Sequence, residues 1–112
     1  MAHQRPKRLK TPPASMSMIE PGIRSVYKSF YKESYYAPSA LDARTKELVA
    51  IGCSLVAKCD GCIEGHLKKA LKIGCTREEI SDAIVVALGI AAASVMDSAD
   101  QAAIRLDLHH FE

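Results

Sequence analysis

The sequence predicts an all-α domain, and three observations carry that reading. Apolar residues recur at helical spacing from Ile23 to Leu106. No segment alternates apolar and polar residues as a half-buried strand does. Thr76-Arg-Glu-Glu79 matches the S/T-x-x-E capping box that opens a helix.

The elements follow in chain order. Ile23, Val26, Tyr27, Phe30 and Tyr31 lie on one face of a first helix. Five of the six aromatic residues fall between Tyr27 and Tyr36, so this helix is expected to supply the bulk of the core. Tyr36-Ala37-Pro38-Ser39 reads as a loop, because Pro38 pushes its predecessor out of helical geometry. A second helix is expected from Asp42, as N-cap, to about Lys58. Its buried side is Leu48, Ile51 and Leu55, with Val49, Gly52 and Val56 beside them. A third begins around Cys59 and stops at Gly74, a natural left-handed terminator. The fourth, opened by the capping box, continues through Ile80, Ala83, Ile84, Ala87, Leu88 and Ala91. Val85, Val86 and Ile90 make it apolar nearly all round, so it is buried on every side or lies in a subunit interface. A break near Ala93 to Met96 separates it from a last helix carrying Ala99, Ala102, Ala103 and Leu106.

The 112 residues suffice for one domain, read as residues 17–112, behind a flexible basic arm, residues 1–16. A 48% hydrophobic and 25% charged composition excludes wholesale disorder and collagen-like repeats. Of the 15 Lys and Arg, four (Arg5, Lys7, Arg8, Lys10) sit in the arm, so the net +2 belongs to the arm and the rest is slightly acidic. The arm has no aromatic residue to stack on bases, so no nucleic-acid partner is expected. The longest uncharged stretch, Ala83 to Met96, is short of the roughly 20 residues of a membrane helix, so no membrane partner is expected either. No apolar segment follows the basic start, which makes a cytoplasmic location the default.

The chemistry lies on the third helix, in Cys59-Asp-Gly-Cys62-Ile-Glu-Gly-His66. Helical spacing places Cys59, Cys62, Ile63, His66, Leu67, Ala70 and Leu71 on one stripe, so the cysteines are expected to line a pocket. A helix N-terminus presents unpaired N–H groups and partial positive charge, which favour a thiolate. Two cysteines three apart can also close into a disulfide without rearranging the fold. His66, one turn after Cys62, is placed to take its proton. Structural zinc is an alternative, with Cys59, Cys62 and His66 as ligands and His109 or His110 as a fourth. Cys53 and Cys75 read as packed small residues, and Glu47, beside Lys46, as solvated.

Taken together, Leu41-Asp-Ala-Arg-Thr-Lys-Glu47-Leu, Cys59-x-x-Cys62-x-x-x-His66 and Gly74-Cys-Thr-Arg-Glu-Glu79-Ile resemble the alkylhydroperoxidase D-like branch of the carboxymuconolactone decarboxylase family. The resemblance runs from about residue 20 to 106. It implies a helical bundle assembled as a homotrimer or homohexamer and a thiol–disulfide enzyme that reduces hydroperoxides. It further implies re-reduction by a dithiol protein or small dithiol, and no bound cofactor or metal. Carried over residue by residue, it makes Glu47 the acid, Cys59 and Cys62 the redox pair and His66 the relay. Gly61 departs from alkylhydroperoxidase D itself, where a histidine directly precedes the second cysteine. A lactone decarboxylase is the remaining alternative from the same family, though that reaction offers no use for a dithiol.

Overall fold

The computed structural model describes residues 16–108 and Phe111. The expected arm lies outside the described residues except for Met16, as do His109 and His110. The described chain is helical throughout, with no strand, and divides into two compact units between Ala37 and Pro38.

The first unit holds α1 (Pro21–Tyr31), which continues into a π-helical turn, Lys32–Tyr36. Glu20 caps α1, accepting from the backbone N–H groups of Gly22 at 2.9 Å and Ile23 at 3.2 Å. Pro21 fills the first helical position, where its missing N–H costs nothing. The wider turn brings Tyr31, Tyr35 and Tyr36 together, with the Tyr31 and Tyr35 rings stacked at 5.4 Å between centroids. Ala37 is extended ahead of Pro38, as the sequence predicts. The aromatic helix does not supply the core, however. Neither α1 nor the turn has a buried residue. The rings stack along their own helix, and no described residue of this unit buries the stripe.

The second unit contains α2 (Ala43–Val56), α3 (Asp60–Lys72) and α4 (Arg77–Leu106), with α2 packed against both others. Its core is aliphatic and small: Ile51, Ala70, Cys75 and Ile80 are buried, with Leu48, Leu55, Leu67 and Ala83 packed around them. The buried side of α2 is rotated from the expected one. Glu47, Ala50, Ile51 and Ser54 face inward, Leu48 and Leu55 are half-buried, and Val49 and Val56 are exposed. Two of those inward residues are polar, which their partners permit: Ser54 Oγ donates to the Ala50 carbonyl, and Glu47 is treated below.

The break expected near Ala93 to Met96 is absent, and α4 runs unbroken for 30 residues. After Gly89 it contains neither glycine nor proline, and its alanines are the strongest helix formers, so nothing interrupts it. This single helix is long and apolar enough, by length and composition alone, to cross a membrane, which the uncharged stretch by itself did not reach. Only Ile80 and Ala87 of α4 are buried, leaving Ile84, Val85, Val86, Leu88 and Ile90 exposed. Burial on every side, one of the two expectations for this helix, is therefore not met among the described residues.

All three helices end in the same paired bonds, with a left-handed residue at the turn. Lys58 N–H reaches Leu55 O at 3.2 Å and Cys59 N–H reaches Ser54 O at 3.0 Å, closing α2. Gly74 and Cys75 repeat the pattern after α3, and Asp107 and Leu108 after α4. The turn residues have φ of 56° at Lys58, 94° at Gly74 and 53° at Asp107. Only Gly74 avoids the Cβ clash that this conformation imposes.

A polar clamp fixes the start of α2. Asp42 caps it by accepting from Thr45 N–H at 2.8 Å, which holds the Asp42 carboxyl below its ordinary range. The Arg44 guanidinium donates to Gly74 O at 2.9 Å and pairs with Glu79, tying α2 to the α3–α4 turn. Glu79 also completes the predicted capping box with Thr76. The Thr76 N–H, and then Arg44, hold the Glu79 carboxyl below its usual range. Sequence reading identified the box but not Arg44.

Two outcomes follow for stability. Lys58→Gly relieves the left-handed strain and is expected to raise unfolding free energy in urea by about 0.5–1 kcal/mol, while Gly74→Ala lowers it by about 1–2 kcal/mol. Because Asp42 and Glu79 are more acidic folded than unfolded, their contribution is present above the ordinary carboxylate range of about 4 and is lost as pH falls through their folded values. The urea midpoint should therefore drop on acidification below about pH 4, and drop less in an Asp42→Asn, Glu79→Gln variant.

Candidate functional site

The end of α2 and the start of α3 are built around Cys59. The left-handed Lys58 turns the chain, and the bond from Cys59 N–H to Ser54 O pins Cys59 to the last turns of α2. Cys59 then serves as the N-cap of α3, with extended backbone and no side-chain capping bond, so its sulfur is not spent on the helix terminus. Asp60, Gly61 and Cys62 form the first turn. The two cysteine Cα atoms lie 5.2 Å apart, within the range disulfides use, and the two sulfurs are bonded. Pair and helix terminus thus share one place, where N–H groups and the dipole favour negative sulfur once the bond is reduced.

One turn further, His66 is buried, and its Nδ1 lies 2.8 Å from Oε2 of the equally buried Glu47 on α2. An ionised carboxylate can only accept, so the imidazole Nδ1–H is the donor in this bond. In the neutral ring that leaves Nε2 as the atom able to take a proton. Burial of Glu47 reverses what its neighbourhood in the sequence predicts. The position beside Lys46 reads as solvated, but here α2 turns Glu47 inward and Lys46 is only partly buried.

The expected stripe on α3 is covered only in part. His66 and Ala70 are buried and Leu67 is half-buried, but Leu71 is exposed. Cys59 is half-buried and Cys62 exposed, so the pair does not line an enclosed pocket. Glu47 bonds to His66, and Ile51 shares the buried cluster of Ala70. Cys62 is therefore exposed while the neighbouring imidazole of His66 is sheltered.

The remaining cysteines divide. Cys75 is packed as predicted: burial pushes its thiol up from the ordinary value, and it points at the Arg44 carbonyl. Cys53 is exposed, because it lies on the face of α2 turned away from the core. Among the described residues no group of three or more His, Cys, Asp and Glu is placed to hold a metal ion. The candidate fourth ligands, His109 and His110, fall outside the described residues.

Three comparisons bear on this arrangement. Over 72 residues, 64% of this chain, it is 43% identical to a protein from Paracoccus denitrificans named "Uncharacterized protein 4 in cox locus". It is 26% identical, again over 72 residues, to an uncharacterized protein of Cupriavidus necator. The chain covers 65% and 63% of the lengths of these two relatives, a little under two thirds. A crystal structure of a protein from Methanobacterium thermoautotrophicum superposes with a TM-score of 0.67 at 32% identity, covering 72% of this chain and 87% of that one. The model of the carboxymuconolactone decarboxylase family matches residues 21–105, spanning α1 and nearly all of α4 as well as the cysteine pair. The chain belongs to the carboxymuconolactone decarboxylase family.

Proposed function

We propose that this chain is a thiol–disulfide oxidoreductase that cycles Cys59 and Cys62 between dithiol and disulfide, and that hydroperoxides are its oxidants. The observation that carries the reading is the buried hydrogen bond from α2's Glu47 to His66, which lies on the same helix as the pair, one turn from Cys62. A structural disulfide has no need of a sheltered imidazole held by a carboxylate, whereas a thiol that must be deprotonated does.

In the proposed cycle, His66, held by Glu47, takes the Cys62 proton directly or through a bridging water. The Cys62 thiolate then accepts the proton of Cys59. The Cys59 thiolate attacks the terminal oxygen of the hydroperoxide, the O–O bond breaks, and the departing alkoxide takes back the proton held on His66 and leaves as an alcohol, freeing the imidazole to deprotonate Cys62 again. Cys59 is now a sulfenic acid. Cys62, deprotonated again, attacks that sulfur, hydroxide departs as water, and the disulfide forms. The two electrons that reduce the peroxide come from the two sulfurs. A dithiol, protein or small molecule, restores them by two exchange steps, for which the exposed Cys62 gives access.

The test is the rate of disulfide formation in the reduced protein after mixing with a stoichiometric organic hydroperoxide, with the bond located by peptide mass mapping. The native chain is expected to form the Cys59–Cys62 bond rapidly, and Glu47→Gln and His66→Ala to slow it about 100-fold with the helical content unchanged. Equal rates in all three folded proteins would contradict the relay, and thiols that stay reduced would contradict the peroxidase reading.

A further inference from the structure

The two sulfurs of the pair differ in access and in what holds them. Cys59 is half-buried, and its N–H is tied to Ser54 O at 3.0 Å, whereas Cys62 is exposed. Cys59 also differs from the residues that open the other helices of its unit. Asp42 accepts from Thr45 N–H and Thr76 from Glu79 N–H, but the Cys59 side chain, held in the disulfide, accepts no capping bond. A thiolate released at Cys59 therefore meets first-turn N–H groups that lack an intrahelical acceptor. A reducing thiolate that attacks Cys62 thus expels the better-stabilised sulfur.

Attack on a disulfide runs along the S–S axis, from the side away from the leaving sulfur. Cys59 lies three residues before Cys62, so that side is the next turn of α3, at Gly65 and His66. His66 is turned into the protein and bonded to Glu47, while Gly65 is partly exposed. Neither backbone nor packing calls for glycine there. Its φ is not positive, and a Cβ placed on it meets no heavy atom within 4 Å beyond its chain neighbours and its own helix backbone. A glycine inside a helix destabilises it relative to alanine, and packing among the described residues does not account for this one. The missing side chain leaves bare main chain one turn from the exposed sulfur, a surface against which another main chain can close.

We propose that Gly65 is a specificity-determining residue of the exchange reaction: it admits a reducing thiol borne on a peptide chain, which attacks Cys62 across Gly65 and releases Cys59. This rests on the redox reading of the pair. In the first step the donor thiolate bonds to the Cys62 sulfur, the Cys59–Cys62 bond breaks, and Cys59 leaves with the electron pair as a thiolate. A second donor thiol then attacks the donor sulfur of the mixed disulfide and frees Cys62. The donor is oxidised to its disulfide, and the cysteine pair takes up two electrons.

The oxidised chain is mixed with glutathione, a thiol on a peptide, and in parallel with mercaptoethanol, a thiol without one. Samples are quenched with acid, and the opened fraction and the cysteine carrying the adduct are read by peptide mass mapping. The adduct is expected on Cys62, about tenfold over Cys59. Gly65→Leu is expected to slow opening by glutathione about tenfold and by mercaptoethanol less than about twofold. Gly65→Ala, which restores helical preference without the bulk, is expected to leave both near the native rates. An adduct mainly on Cys59, a Gly65→Leu variant that slows both thiols alike or neither, or a native disulfide that neither thiol opens overturns the proposal. Hydroperoxide oxidation of the reduced chain involves no donor thiol and tests the redox reading separately, so either can fail without the other.

Discussion

A carboxylate and an imidazole buried side by side constrain the helical pair that carries the cysteines. Glu47 on α2 and His66 on α3 are each almost wholly removed from water, and each finds the other at 2.8 Å. Leaving one partner of such a buried hydrogen bond unsatisfied costs about 1–3 kcal/mol, more where the orphan is charged, against a total stability for a small domain of about 5–15 kcal/mol. The pairing therefore fixes the register of α2 against α3 together with the small aliphatic core around Ile51. Ile51 is the only large side chain that is completely buried among the described residues. Once that register is set, Cys62 stands one turn from the imidazole and Cys59 at the terminus of the same helix.

The surrounding polar bonds serve the same geometry. The turn at Lys58 delivers Cys59 to the helix start, and its left-handed backbone is held by bonds to Ser54 and Leu55 rather than by the residue's own preference. At the other end of the hairpin, Arg44 joins α2 to Gly74 and Glu79, so the first turn of α2 cannot swing away from the α3–α4 turn. Glu47 lies one turn beyond that clamp. The Glu47–His66 hydrogen bond is thus bracketed by a helix end on one side and an ion pair on the other.

Much of this was legible in the sequence where a short-range rule governs it. The capping box at Thr76 and Glu79, the N-cap at Asp42, the stop at Gly74 and the neighbouring positions of Cys62 and His66 follow from local hydrogen-bond chemistry or helical spacing. What escaped depends on tertiary partners. Glu47 reads as solvated until His66 is across from it, and only family resemblance pointed to it. Lys58 carries no signal for a left-handed turn, since the bonds that force it come from the turn as a whole. The break expected near Ala93 to Met96 does not form, because Ala91, Ala92 and Ala93 supply a strong helical preference there. The aromatics of α1 were assigned to the core by composition, but a stripe can be buried only by something that covers it, and the same is true of the exposed face of α4.

Thiolate reactivity is the most direct probe of the central claim, that Glu47 and His66 exist to activate the cysteine pair. In the fully reduced protein at pH 7, the alkylation rate of each cysteine can be followed separately by peptide mass spectrometry. The account predicts that at least one of Cys59 and Cys62 reacts about tenfold faster than the exposed Cys53, and that Glu47→Gln removes most of this advantage while leaving Cys53 unchanged. Equal reactivity of Cys53, Cys59 and Cys62, or an advantage that survives Glu47→Gln intact, would contradict it.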